Sequence, residues 1–96
     1  MITSSAFRGK RYAVLGLARS GLATVEALVA SGAEVVAWDS NEAARAAVGP
    51  GVTLADPLTI DLTGFDGVVV SPGVPINRHP IADHAHKANV PLIGDI

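Results

Sequence analysis

A glycine-bounded break at Gly16-Leu17-Ala18-Arg19-Ser20-Gly21 constrains this chain more than any other feature. It separates a short, continuous apolar run, residues 11–16, from a segment with helical periodicity, residues 20–31. In that second segment Leu22, Val25, Leu28 and Val29 recur at helical spacing, and Gly32 follows where a left-handed cap is common. Gly16 permits a tight turn, and Gly21 lets a helix pack closely on the preceding strand. The unpaired amides of the helix start, near Ser20, then favour a negatively charged group such as a phosphate. The dinucleotide fingerprint is G-x-G-x-x-G, and here it reads G-x-A-x-x-G, with Ala18 in place of the middle glycine. A tight strand–helix turn with no ligand is the alternative reading of the same residues.

The rest of the chain repeats the alternation. Residues 34–38 read as a second strand ending at Asp39, and residues 41–48 as a short Ala-rich helix stopped by Gly49-Pro50-Gly51. A weak third strand is expected at residues 52–54 and an irregular stretch rich in Asp, Thr and Pro at residues 55–66. Residues 67–70 form a buried strand broken sharply by Ser71-Pro72-Gly73-Val74-Pro75. A helix over residues 80–88 and a last strand over residues 90–93 follow. Strands alternating with helices predict right-handed βαβ units. The fold expected is a Rossmann-like, doubly wound parallel α/β sheet of about five strands in a single domain. With only 4% aromatic residues among 49% hydrophobic ones, the core must consist of Ala, Val, Leu and Ile, which suits a sheet buried on both faces.

Ninety-six residues suffice for one domain, with no internal repeat or linker. A net charge of -2 without a basic stripe argues against nucleic acid as a partner. The absence of Cys excludes disulfides and thiolate metal sites and fits a reducing, cytoplasmic setting. Arg8, Lys10 and Arg11 before an apolar run faintly resemble a signal peptide, but the run is short and Arg19 stops it. No stretch approaches the roughly 20 apolar residues that span a bilayer. The chain stops directly after a strand, which suggests a piece of something longer.

Asp39 ends the second strand, 18 residues after Gly21. In a doubly wound sheet it neighbours the first turn, where an acid can accept from a ribose hydroxyl or from a uracil N–H. Ser40 and Asn41 add neutral donors and acceptors beside it. Capping of the next helix by Asp39 or Ser40 is the competing role. If the strand order is 3-2-1-4-5, the Ser71-Pro72-Gly73 turn lies at the switch point with the first turn, and Gly73 can bring backbone N–H close to a ligand.

Other constellations carry less. His79, His84 and His86 have no carboxylate at ligand spacing beyond Asp83 to complete a site, and read as a solvated face. Asp56, Asp61 and Asp66 read as turn and cap residues, and Trp38 as core or sheet edge rather than a stacking platform.

Residues 14–23, then Trp38-Asp39-Ser40, Val70-Ser71-Pro72-Gly73-Val74 and finally Ile93-Gly94-Asp95-Ile96 together resemble, in order, the amino-terminal domain of the muramyl ligase family. Within it the members that add D-glutamate are the most similar. The resemblance implies a cytoplasmic role in peptidoglycan precursor synthesis, with this domain holding the UDP part of UDP-N-acetylmuramoyl-L-alanine. It implies that Arg19 and Ser20 meet the diphosphate, that Asp39 and Ser40 meet the uracil, that Asn41 stands where some members have an Arg near that base, and that Gly73 lies near the phosphates. In the family ATP and magnesium sit on a central domain with a G-x-x-x-x-G-K-[ST] loop. Here Leu22-Ala23 follows Gly21, so no such loop is present, and the chain is expected to bind without catalysing. Two other readings stay open: a coenzyme domain of an NAD(P)-dependent oxidoreductase, and a stand-alone module that senses a nucleotide.

Overall fold

A computed structural model describes residues 8–71 and 80–93. The element order is β1 (Arg11–Leu15), α1 (Arg19–Ala30), β2 (Glu34–Trp38), α2 (Glu42–Ala46), β3 (Val52–Leu54), a 3-10 turn (Pro57–Thr59), β4 (Gly67–Val70), α3 (Ile81–Lys87) and β5 (Leu92–Ile93). All four pairings are parallel. The sheet order is β3-β2-β1-β4-β5, the expected doubly wound arrangement.

Strand alternation divides the core into two layers. Tyr12, Val14, Val35, Ala37 and Val69 face α1, whose Val25 and Leu28 close that layer. Ala13, Leu15, Val68 and Val70 face the other way, against Ile81 and Ala85 of α3 and Leu62 of the loop before β4. Because β1 and β4 are covered on both faces, polar residues are absent from their interiors, as a central parallel strand requires. The apolar run at residues 12–15 is therefore the middle of the sheet.

Helix ends follow local chemistry. Gly32, at φ +86°, closes α1: its N–H donates to Val29 O, and the Ala33 N–H to Leu28 O, a Schellman pair. Asn41 caps α2 by accepting from the Ala43 N–H at 2.9 Å, so α2 starts one residue later than the sequence suggests. At its far end Ala47 is the C-cap, so Val48 lies outside it. The last strand also shortens. The Val90 N–H is spent on Ala85 O, where Asn89 at φ +61° ends α3, and Pro91 has no N–H to give a ladder.

The loop before β4 is held by its own aspartates. Asp56 accepts from Leu58 N–H, Asp61 from Thr63 N–H and Asp66 from Arg11 N–H. The Thr63 amide and then its hydroxyl hold the Asp61 carboxyl below its ordinary 3.8, with a smaller contribution from His84. A lowered folded value means this stabilisation is present above pH 3.8 and is lost as the pH falls through the folded value. Asp61→Asn should therefore flatten the pH dependence of unfolding below pH 3.8, read by circular dichroism against the parent chain. An unchanged acid slope would contradict this.

The backbone of α1 comes close to the first turn at Gly21. A Cβ there would collide with the Gly16 carbonyl oxygen, which is backbone and cannot turn aside. Gly21→Ala should destabilise the chain by about 1–3 kcal/mol or more in urea unfolding, the range for forced overpacking. A variant as stable as the parent would show that α1 can shift freely.

Candidate functional site

Parallel register brings the site together. Leu15 pairs with Trp38 on one side and with Val70 on the other. The next residues, Gly16, Asp39 and Ser71, therefore leave the sheet side by side at one rim, with Gly16 in the middle. This rim is the switch point, since the chain turns to opposite faces after β1 and after β4.

Four contacts fix the rim. The Gly16 N–H donates to Trp38 O at 2.8 Å and the Ser71 N–H to Leu15 O at 2.9 Å. The Leu17 N–H donates to Asp39 Oδ2 at 2.8 Å, and the Asn41 N–H to Asp39 Oδ1 at 2.8 Å. Gly16 takes φ +94°, which carries the chain over the strand end into α1. Ser71 is buried, and its Cβ lies 3.9 Å from where a Cβ of Gly21 would stand.

The start of α1 is open. Its N-cap is Ala18, which has no side-chain acceptor, and the first intrahelical bond runs from Leu22 N–H to Ala18 O. Among the described residues no hydrogen bond engages the Arg19, Ser20 or Gly21 N–H. These donors, with the positive end of the helix dipole, form an anion-favouring edge. The first turn of α1 contains no acidic residue to compete with an anion. Arg19 is exposed and Ser20 half-buried.

The expected residues divide as follows. Gly16, Gly21, Arg19, Ser20 and Asp39 converge on the rim. Ser40 and Asn41 are exposed beside it, and Asn41 is the cap of α2, the role considered for Asp39 or Ser40. Gly73 lies outside the described residues, as do Pro72, His79 and the Gly94-Asp95-Ile96 ending. Both Asp39 oxygens hold backbone amides, so the side chain is part of the scaffold. His84 is not on a solvated face. Its Nε2 donates to Ile60 O at 2.8 Å and ties α3 to the loop, because a carbonyl can only accept. His86 is exposed, and among the described residues no group of three or more His, Cys, Asp or Glu could hold a metal.

Two contributors were not anticipated. Leu17 supplies the amide that latches Asp39. Arg45 places its guanidinium 4.4 Å from the centroid of Trp38 and donates to Asp39 O at 2.7 Å. The sequence signal was faint: one Arg in an Ala-rich helix, seven residues after the only Trp. A hollow of about 420 Å³ lies at the amino-terminal ends of the strands, beside the Arg11–Glu34 ion pair, and contains none of the rim residues.

Residues 10–94 match the family described as Mur ligase MurD-like, N-terminal domain. The chain belongs to that family. It is 71% identical over 96 residues to the UDP-N-acetylmuramoylalanine–D-glutamate ligase of Novosphingobium aromaticivorans, covering all of this chain and 22% of that protein. The enzyme of the same name from Sphingopyxis alaskensis is 73% identical over 97 residues, with the same coverage, and that of Zymomonas mobilis 52% over 105 residues, with 24% of that protein covered. The chain thus spans about a fifth to a quarter of these ligases. Among solved structures, apo D-lactate dehydrogenase from Escherichia coli superposes with TM-score 0.66 at 25% identity, over 92% of this chain and 29% of that one. The dehydroquinate dehydratase and shikimate dehydrogenase AroM of S. pombe gives 0.62 at 12% identity, over 92% and 24%, a likeness of fold alone.

Asp39→Ala removes the acceptor of the Leu17 amide, whose residue is only 2% exposed. It should cost about 1–3 kcal/mol, the penalty for an unmade buried hydrogen bond, measured as a lower urea midpoint at unchanged slope. Unchanged stability would remove Asp39 from the latch.

Proposed function

We propose that this chain is the amino-terminal, substrate-holding domain of a ligase that adds D-glutamate to UDP-N-acetylmuramoyl-L-alanine in peptidoglycan precursor synthesis, and that it grips the UDP moiety at the rim. The diphosphate would lie against the free amides of Arg19 and Ser20, with the Arg19 side chain as a mobile countercharge. The uracil would lie at the end of β2, beside Asp39, Ser40 and Asn41, and Gly73 would approach the phosphates from the β4 side. A carboxylate has about four acceptor positions, so Asp39 keeps capacity for a uracil N–H while it holds two amides. The observation that carries this reading is the uncapped start of α1, set by register between Asp39 and Ser71, in a chain of this family.

The chain itself would bind and not catalyse. Its residues do not fit ATP or magnesium: the Gly16–Gly21 turn continues as Leu22-Ala23 without the Lys and hydroxyl of a P-loop. ATP, magnesium and D-glutamate would be handled by the remaining length of such ligases. The setting would be the cytoplasm, and among the described residues no helix is long and apolar enough to cross a membrane. The dehydrogenase likeness supports the shared scaffold. Against NAD stands Ala18, whose Cβ occupies the position where a glycine lets the backbone approach a pyrophosphate in that coenzyme's usual pose.

Titration of the chain with UDP and separately with NAD, followed by amide chemical shifts, tests the reading. Saturable movement of Arg19, Ser20, Asp39 and Ser40 with UDP is expected. Movement with NAD alone would favour the oxidoreductase reading.

A further inference from the structure

Arg45 touches none of the amides that would meet a phosphate, yet it holds both residues that fix them. Its guanidinium lies over the Trp38 ring and donates to the Asp39 carbonyl at 2.7 Å. The Trp38 carbonyl accepts the Gly16 N–H at 2.8 Å, and the Asp39 carboxylate accepts the Leu17 N–H at 2.8 Å. The two bonds that place the first turn therefore both arise from the dipeptide that Arg45 clamps. The clamp is also closed from the other side, since Asp39 Oδ1 accepts the Asn41 N–H and Asn41 caps the helix that carries Arg45. Sequence separation in this circuit is 22 residues between Leu17 and Asp39 and six between Asp39 and Arg45, so no local propensity enforces it.

We infer that Arg45 is a positioning residue for the phosphate edge: by pinning the corner from Trp38 to Asp39 it sets the first turn, and through it the start of α1, without touching the ligand. This rests on the UDP-binding reading above, but its first consequence does not need a ligand. A planar cation suits the task because one face can lie on an indole while an edge N–H meets a carbonyl in the ring's margin. Half-burial strengthens both contacts relative to water. The corner has few other anchors: α2 is five residues long and has no buried residue, so without Arg45 its start is held by the Asn41 cap and by Ala44 and Val48 against the α1-side core.

The test uses the chain and its Arg45→Ala and Arg45→Lys variants. Trp38 is the only tryptophan, so its emission reports the loss of the cation directly, and circular dichroism reports the fold. In Arg45→Ala the Leu17 amide should exchange about threefold to tenfold faster than in the parent, at a fold content that is unchanged. Affinity for UDP and for inorganic pyrophosphate should fall together, by about threefold to tenfold, because a displaced edge affects both. Arg45→Lys keeps a charge but lacks the planar edge that meets the ring and the Asp39 carbonyl together, and should recover only part of the loss. Unchanged Leu17 exchange in Arg45→Ala would overturn the inference whatever the ligand results. So would a loss for UDP with none for pyrophosphate, which marks a direct contact with the nucleoside. Failure of the parent chain to bind UDP would instead count against the UDP reading, leaving the exchange result to decide the role of Arg45.

Discussion

The contact on which the site depends is the one between the Gly21 backbone and the Gly16 carbonyl. A helix normally stands off its preceding strand by at least the thickness of a side chain. Here the missing Cβ at Gly21 lets α1 rest directly on the turn that precedes it. That places the helix start over the end of β1 and between the ends of β2 and β4. Its first amides, unpartnered among the described residues, then lie at the rim where all three strands finish level. A helix dipole contributes only where its terminus is held, because its field falls off within a turn. Close packing is thus what converts a property of all helices into a directed site.

Asp39 is first of all a scaffold side chain. Its two oxygens hold the Leu17 and Asn41 amides, so the acid is part of the scaffold before any ligand arrives. Charge-assisted bonds to backbone amides are short and strong, and they remove the freedom a binding carboxylate would otherwise lose on association. A group that is already ordered is better prepared to accept a further donor. The same arrangement explains why the first turn needs no side-chain cap: its geometry is imposed from β2, and among the described residues the first helix amides stay unspent.

The sheet was legible because central parallel strands announce themselves as short apolar runs between glycines. Residues 67–70 read clearly as a buried strand, and β2, β3 and β4 fall on the expected residues. The order 3-2-1-4-5 entered the sequence reading as a condition, one of the common doubly wound orders, and the sheet has it. Element ends were less legible where a single hydrogen bond decides them. Val90 is apolar and adjacent to a strand, yet its amide belongs to the end of α3. Asn41 was read as part of a helix and a possible ligand contact, and it serves as the cap. Least visible were contacts that exist only after folding. His84 reaches Ile60 across 24 residues, and Arg45 finds Trp38 only because α2 folds back over the end of β2. Periodicity records which face of an element is buried, but says nothing about which long polar side chain will bend round a strand end.

A structure of this chain crystallised with UDP puts the central claim at direct risk. The account predicts diphosphate oxygens within hydrogen-bonding distance of the Arg19 and Ser20 amides, and the uracil at the end of β2 near Asp39. Diphosphate density anywhere else, with those amides facing bulk water, would contradict it.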